Sequence, residues 1–171
     1  MKPDVQPLAE AHFESLRLVL DSVAREKRYL AFQQAPPREE AFAFYRGLLA
    51  SHACHYVALL GGQVVGWCDV LPAHGQARAH AGVLGMGVVA TARGQGVGTM
   101  LIRRAIDAAW ARGFLRIELI VRADNLPAKA LYEREGFAVE GVLRDAFRVD
   151  DQFFDSYMMG LLKNTTRPRP Y

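Results

Sequence analysis

The chain has 171 residues, 51% hydrophobic and 23% charged, with 21 Lys and Arg against 18 Asp and Glu for a net charge of +3. This length and mix suit a single domain over residues 1–171 with a sizeable core, and exclude a disordered or collagen-like chain. Charges of both signs are interleaved without a long basic run, so no nucleic-acid partner is indicated, while the small basic excess suits an anionic ligand.

The start, Met1-Lys2-Pro3-Asp4-Val5-Gln6-Pro7, has no apolar run to serve as a secretory segment, and no stretch of about 18 apolar residues exists to span a bilayer. The chain is therefore expected in the cytoplasm, with no membrane partner. A short strand near Val5 leads to a first helix, Leu8 to Ala24, in which Leu8, Ala11, Leu16, Leu20 and Val23 recur loosely at helical spacing. A loop carrying Arg28-Tyr29-Leu30 follows. Pro36 and Pro37 then open a second helix, Pro37 to about Ser51, with Glu39 and Glu40 in the first turn, where the helix dipole favours them.

Cys54 to Leu60 and Gln63 to Leu71 bracket Gly61-Gly62, the composition of a two-residue hairpin. In that register Cys54 faces Asp69 and Cys68 faces His55, so the two sulfurs point to opposite faces and both thiols are expected free. His52-Ala53-Cys54-His55 is not expected to hold a metal, because His55 would point away from His52 and Cys54 on entering the strand. A polar loop, His74 to His80, precedes a strand that is apolar apart from glycine, Gly82 to Val89. A glycine-rich turn, Arg93-Gly94-Gln95-Gly96-Val97-Gly98-Thr99, then gives way to helical spacing at Val97, Leu101, Ala105 and Ala108.

Gly113-Phe114 closes that helix, Leu115 to Val121 reads as a strand, and Asp124-Asn125-Leu126-Pro127 starts a short helix that stops at Gly136-Phe137. Ala138 to Leu162 reads as two strands hinged near Asp150-Asp151-Gln152, and Asn164 to Tyr171 as a frayed tail. This order of elements implies an α/β (α+β) fold whose mixed, mostly antiparallel sheet of about seven strands carries helices on both faces.

Glycines at 94, 96 and 98 before a helix N-terminus leave backbone N–H groups unshielded at the positive end of the helix dipole, which suits a phosphate. A P-loop is excluded because no lysine follows these glycines. A dinucleotide fingerprint at Gly85-Met86-Gly87-Val88-Val89-Ala90 would have to start its helix inside the β-branched pair Val88-Val89, so it is a chance match.

Arg93-Gly94-Gln95-Gly96-Val97-Gly98 resembles the pyrophosphate loop of the GNAT superfamily of N-acetyltransferases: Arg or Gln, two residues, Gly, one residue, then Gly or Ala. Asn125-Leu126-Pro127-Ala128-Lys129-Ala130-Leu131-Tyr132-Glu133-Arg134-Glu135-Gly136-Phe137 is similar to the family's second segment, an asparagine before a helix that carries Leu-Tyr and ends in Gly-Phe. The two lie in the family's order and together span Gly82 to Phe137.

The resemblance implies acetyl transfer from acetyl-CoA, a co-substrate held without metal between two splayed parallel strands. Met86, Gly87 and Val88 would offer backbone contacts, and Arg93, Gly94, Gln95, Gly96, Val97, Gly98 and Thr99 the pyrophosphate loop. Asn125, Lys129 and Tyr132 would complete the cofactor set, with Tyr132 also giving a proton to the departing thiolate and Glu118 acting as general base. Tyr29, Asp69, His80 and Tyr157, with Asp155 beside them, are candidates on the acceptor side. In outline the loop at Arg28-Tyr29-Leu30 and the segments around Glu140 to Arg144 and Phe153 to Met159 are similar to a bacterial subgroup acting on amino acids or other small amines. Each residue also has a plain structural reading: Tyr132 a core aromatic, Asn125 a helix cap, Glu118 an ion-pair partner of Arg116, and Arg93 and Lys129 solvated cations. A protein N-terminus as acceptor and a non-catalytic acyl-CoA-binding regulatory module are the alternatives. Dimers are common in the family, and nothing in the sequence selects a homodimer.

Overall fold

The computed structural model describes residues 2–164. Its sheet of seven strands has the order β1-β2-β3-β4-β5-β7-β6, formed by β1 (Asp4–Pro7), β2 (Cys54–Leu60), β3 (Gln63–Pro72), β4 (Ala81–Val88), β5 (Arg116–Arg122), β6 (Ala138–Val149) and β7 (Gln152–Leu162). All neighbours are antiparallel except β4 and β5. Helices α1 (Phe13–Arg25) and α2 (Arg38–Ala50) cover one face, and α3 (Val97–Arg112) and α4 (Leu126–Arg134) the other.

Alternation along the strands sorts side chains into two cores. Toward α1 and α2 lie Phe13, Leu16, Val23, Tyr45, Val57 and Trp67; toward α3 and α4 lie Val70, Leu101, Ile102, Ile117, Leu119 and Met159. The expected order of elements therefore forms, with two shifts in detail. Helix α1 begins at Phe13 rather than Leu8, because the Leu8 N–H continues the β1 pairing by donating to the His55 carbonyl at 2.9 Å. The tail expected at Asn164–Tyr171 falls outside the described residues beyond Asn164.

The second shift changes the chemistry of the sheet. The β2–β3 hairpin starts in the expected register, with Leu60 opposite Gln63 and Leu59 opposite Val64, but Val65 is then an extra residue and Ala58 pairs with Gly66. A bulge of this kind moves the remainder of the strand by one position and exchanges its faces. His55 consequently faces Asp69, and Tyr56 faces Cys68. The expectation that the cysteines point to opposite faces is corrected: Cys54 and Cys68 both enter the core under α3, and both are free.

Candidate active site

Strands β4 and β5 pair only through Ala81, Gly82 and Val83 with Arg116, Ile117 and Glu118. Beyond that point β4 pairs only with β3 and β5 only with β7, so the two strands diverge into a V that opens toward their C-terminal ends. The edge of β4 from Leu84 to Val88 is thereby left without a neighbour on the β5 side. Two of the β4 glycines serve close packing on its other flank: a Cβ on Gly82 would come within 2.4 Å of Val70, and one on Gly87 within 2.4 Å of the Trp67 ring.

The glycine corner stands at the mouth of this V. Gly94 and Gly96 take φ of 73° and 80°, the left-handed region that glycine adopts without strain. Backbone N–H groups from Gly94 to Thr99 donate to no acceptor among the described residues, and the first turn of α3 holds no acid. Gln95 folds back onto the Thr91 carbonyl at 2.8 Å, leaving the backbone bare. A Cβ on Gly98 would meet Leu131 at 3.3 Å and Met86 at 3.5 Å, so the start of α3 lies close against both α4 and β4. A row of free donors at a helix N-terminus beside an open strand edge fits a pyrophosphate followed by an amide-bearing arm.

Arg93 takes a different part from the one expected in front of the dipole. Its Nε donates to the Val88 carbonyl at 2.8 Å, its Nη1 and Nη2 grip Glu26 at 2.9 and 2.5 Å, and its guanidinium lies 4.7 Å from the Tyr29 ring centre. The side chain ties the loop after α1 to the end of β4. Tyr29 is accordingly half-buried beneath it.

Tyr132 is buried at 8% exposure, stacked edge-on against Phe137 with 5.9 Å between centroids. Burial, with Cys68 nearby, pushes its hydroxyl above the ordinary tyrosine range, so it keeps its proton until a strong base forms beside it. Among the described residues that hydroxyl makes no hydrogen bond. Asn125 caps α4 by accepting from the Ala128 N–H at 3.3 Å. Lys129 pairs with Glu133 and lies 5.5 Å from the Tyr157 ring centre, which puts Lys129 and Tyr157 together on the α4 face of the sheet.

On the face toward α1 and α2, Glu118 lies at the last paired position of the V, opposite Val83. Arg78 and Arg116 both donate to it, the latter at 2.9 Å, and Arg116 continues to Glu140 at 2.6 Å. Burial raises its pKa, yet the two guanidiniums outweigh burial and hold it below the ordinary carboxylate value. A carboxylate so engaged is a weak proton acceptor. His80 is exposed at the closed end of the V, its carbonyl accepting from Leu115 and Arg116, about 20 Å of extended strand from Met86. Asp155 is spent on the Asp145 N–H at 2.9 Å.

Asp69 differs from all of these. It lies opposite His55 on β2 and Gly85 on β4, with its Oδ2 3.6 Å from His55 Nδ1. Burial raises Asp69 to about 7, the Trp67 indole opposing, and lowers His55 to about 4. Both His55 ring nitrogens are buried without a hydrogen-bond partner. Sequence reasoning named Asp69 but missed His55, because an unbulged hairpin places His55 against Cys68. It also missed Arg122, whose buried guanidinium holds the Lys27 carbonyl at 2.9 Å and lies 3.7 Å from the Phe154 ring centre.

Among the described residues no cluster of three or more His, Cys, Asp or Glu is arranged to hold a metal ion, and no helix is long and apolar enough to cross a membrane.

Comparison with known proteins agrees with this geometry. The acetyltransferase (GNAT) family matches residues 19–137. L-amino acid N-acetyltransferase AaaT of Escherichia coli is 32% identical over 109 residues, covering 63% of this chain and 67% of that one. N-alpha-acetyltransferase RimI of Mycobacterium tuberculosis is 36% identical over 118 residues, covering 68% and 71%. In fold, a phosphinothricin acetyltransferase of Sinorhizobium meliloti, crystallised with acetyl-CoA, superposes with a TM-score of 0.90 over 99% of this chain and 95% of that one, at 17% identity. The chain belongs to the acetyltransferase (GNAT) family and is an acetyl-CoA-dependent N-acetyltransferase.

Proposed function

We propose that this enzyme acetylates the primary amine of a small molecule, an amino acid foremost, by direct attack within a ternary complex. The observation that carries the reading is the V: the β4 edge from Leu84 to Val88 that β5 leaves unpaired, with the row of unpaired N–H groups from Gly94 to Thr99 following it in the chain. Bound acetyl-CoA supplies an activated acyl carbon and a thiolate leaving group. The N–H groups of Gly94 to Thr99 hold its pyrophosphate, with Asn125 at the start of α4 on the flank of the same opening. Backbone groups of Met86 to Val88 orient the thioester and oppose the negative charge that gathers on its oxygen as nitrogen attacks. Tyr132 gives its hydroxyl proton to the departing sulfur.

The acceptor class rests on the face toward α1 and α2. There Ile120 is 50% exposed on β5, opposite Met158 and one step from Arg122 with Phe154, a wall suited to an apolar side chain beside the reacting amine. The similarity to an L-amino acid N-acetyltransferase supports the same class. The test is thiol release from acetyl-CoA with each of the twenty L-amino acids, 2-phenylethylamine and an alanine-initiated hexapeptide. Turnover confined to the hexapeptide would replace the small amine by a protein N-terminus. Tyr132→Phe is expected to lower kcat by about 100-fold with acetyl-CoA affinity unchanged, and an unaltered rate removes Tyr132 from the chemistry.

A further inference from the structure

We propose that Asp69, backed by His55, is the group that takes the proton from the acceptor amine; this rests on the transferase reading above and assigns its missing base. Position is the first argument. Asp69 is paired with Gly85, the residue immediately before Met86, and a Cβ at Gly85 would lie 3.5 and 3.7 Å from its two carboxylate oxygens. The carboxylate therefore lies over a strand position with no side chain to cover it. Glu118, opposite Val83, lies about 10 Å of strand from Met86, against about 3 Å for the partner of Asp69, and is already engaged by Arg78 and Arg116.

Surroundings are the second argument. Among the described residues no Lys or Arg pairs with Asp69. β2 presents His55, β3 itself presents Trp67 on the same face and Cys68 on the opposite one, and β4 presents glycine. Over this face α1 and α2 contribute Phe13, Leu16, Val19, Val23 and Tyr45. An imidazole with both nitrogens sealed and unpaired is costly, and a proton shared with the carboxylate 3.6 Å away is what relieves it. The pair holds one proton, releases it near neutrality, and stays partly open to solvent through Asp69, whose side chain is 14% exposed. A base poised near the working pH is the most effective kind.

The proton balance closes. The substrate ammonium gives one proton to the Asp69 carboxylate, and the freed lone pair on nitrogen forms the C–N bond. The C–S bond breaks with its electrons on sulfur, which takes the Tyr132 proton. The second surplus proton on nitrogen restores Tyr132 through solvent, and the proton on Asp69 leaves to water, so one proton is released for each acetyl group transferred.

The test is the pH profile of kcat/KM from pH 5.5 to 9, using whichever of the twenty L-amino acids or 2-phenylethylamine turns over fastest, with acetyl-CoA affinity measured by calorimetry on every variant. Wild type is expected to show an acid limb near pH 7. Asp69→Asn should lose that limb and fall about 100-fold or more at pH 7.5 with unchanged acetyl-CoA affinity. His55→Asn should keep a limb but displace it, which also decides the matter should Asp69→Asn bind acetyl-CoA poorly. Turnover with an unaltered profile in Asp69→Asn overturns the base alone, as does a limb indifferent to His55→Asn. No turnover by wild type, with acetyl-CoA bound normally, refutes the acceptor reading itself and the base with it.

Discussion

Two glycines one turn of the pleat apart on β4 separate packing from chemistry. A Cβ at Gly87 would lie 2.4 and 2.5 Å from Cη2 and Cζ3 of Trp67, a buried ring fixed in the core under α1 and α2. Such a ring has no free end to swing away, so Gly87→Ala is expected to cost about 3 kcal/mol, the upper part of the range for overpacking. For a chain of this length that corresponds to a melting temperature lower by about 6–12 °C. At Gly85 the same methyl would rest 3.5 Å from Asp69, an ordinary contact, and the smaller freedom of the unfolded chain offsets much of any loss. Gly85→Ala should therefore melt within about 3 °C of wild type, while its methyl, lying over the Asp69 carboxylate, lowers kcat/KM. Calorimetric melting and thiol release on the two variants give four numbers. Equal losses of stability would refute the packing argument, and full activity in Gly85→Ala would show that nothing reacts over Asp69.

Glu118→Gln is expected to destabilise the fold by about 2 kcal/mol at pH 7, the scale of hydrogen bonds to a partly buried charge. Because the folded pKa of Glu118 is depressed, that stability is fully present above its ordinary value of 4.5 and is lost progressively as pH falls below that value through the lower folded one; urea unfolding at pH 7 and pH 3.5 should show the gap narrow, and an equal gap at both would refute the ion-pair reading. Arg93→Gln should raise KM for the amine several-fold with acetyl-CoA affinity changed by less than about threefold, since its guanidinium holds Glu26 and Tyr29. Loss of acetyl-CoA affinity as the main effect would return that side chain to the pyrophosphate.

Local chemistry made much of this legible in the sequence. Helix α3 could be read because Gly96 and Gly113 take left-handed backbone at its two ends, and α4 because Asn125 and Pro127 can only start a helix there. Tyr132 follows from the helical spacing of Ala128, Leu131 and Tyr132 on the buried stripe. What stayed hidden depends on contacts across the chain. Arg93 looks like a lone cation at a helix start until Glu26, far away in sequence, arrives to engage it. Lys129 and Tyr157 looked like separate ligands of cofactor and acceptor until strand alternation put both on the α4 face. For Glu118 the sequence offered Arg116 as an ion-pair partner but not Arg78, which reaches it from a loop that hydrophobic periodicity does not describe.

The bulge at Val65 links these observations. Had β2 and β3 continued in the register set by Gly61-Gly62, Asp69 would face Cys54 and His55 would face Cys68, a thiol opposite each titratable group and no acid–imidazole pair at all. The extra residue brings His55 and Asp69 together on the face toward α1 and α2 and turns both cysteines into the core under α3. Gly66, the residue after the bulge, marks the place: a Cβ there would lie 2.8 Å from the Gly87 carbonyl, so the strand bends only because no side chain stands in its way. Val65 then accepts the Val89 N–H at 2.9 Å, fixing the end of β4 just where the glycine corner departs. A single inserted residue thus sets which groups face the opening and where the corner begins, so deleting Val65 should do more than shorten a hairpin. It should close the ladder without a bulge while keeping His55 opposite Asp69, because Ala58 still meets Gly66, and it takes away the Val65 carbonyl that holds the Val89 N–H; acetyl-CoA affinity should fall with the neutral-pH limb retained, and a lost limb would refute this account of the register.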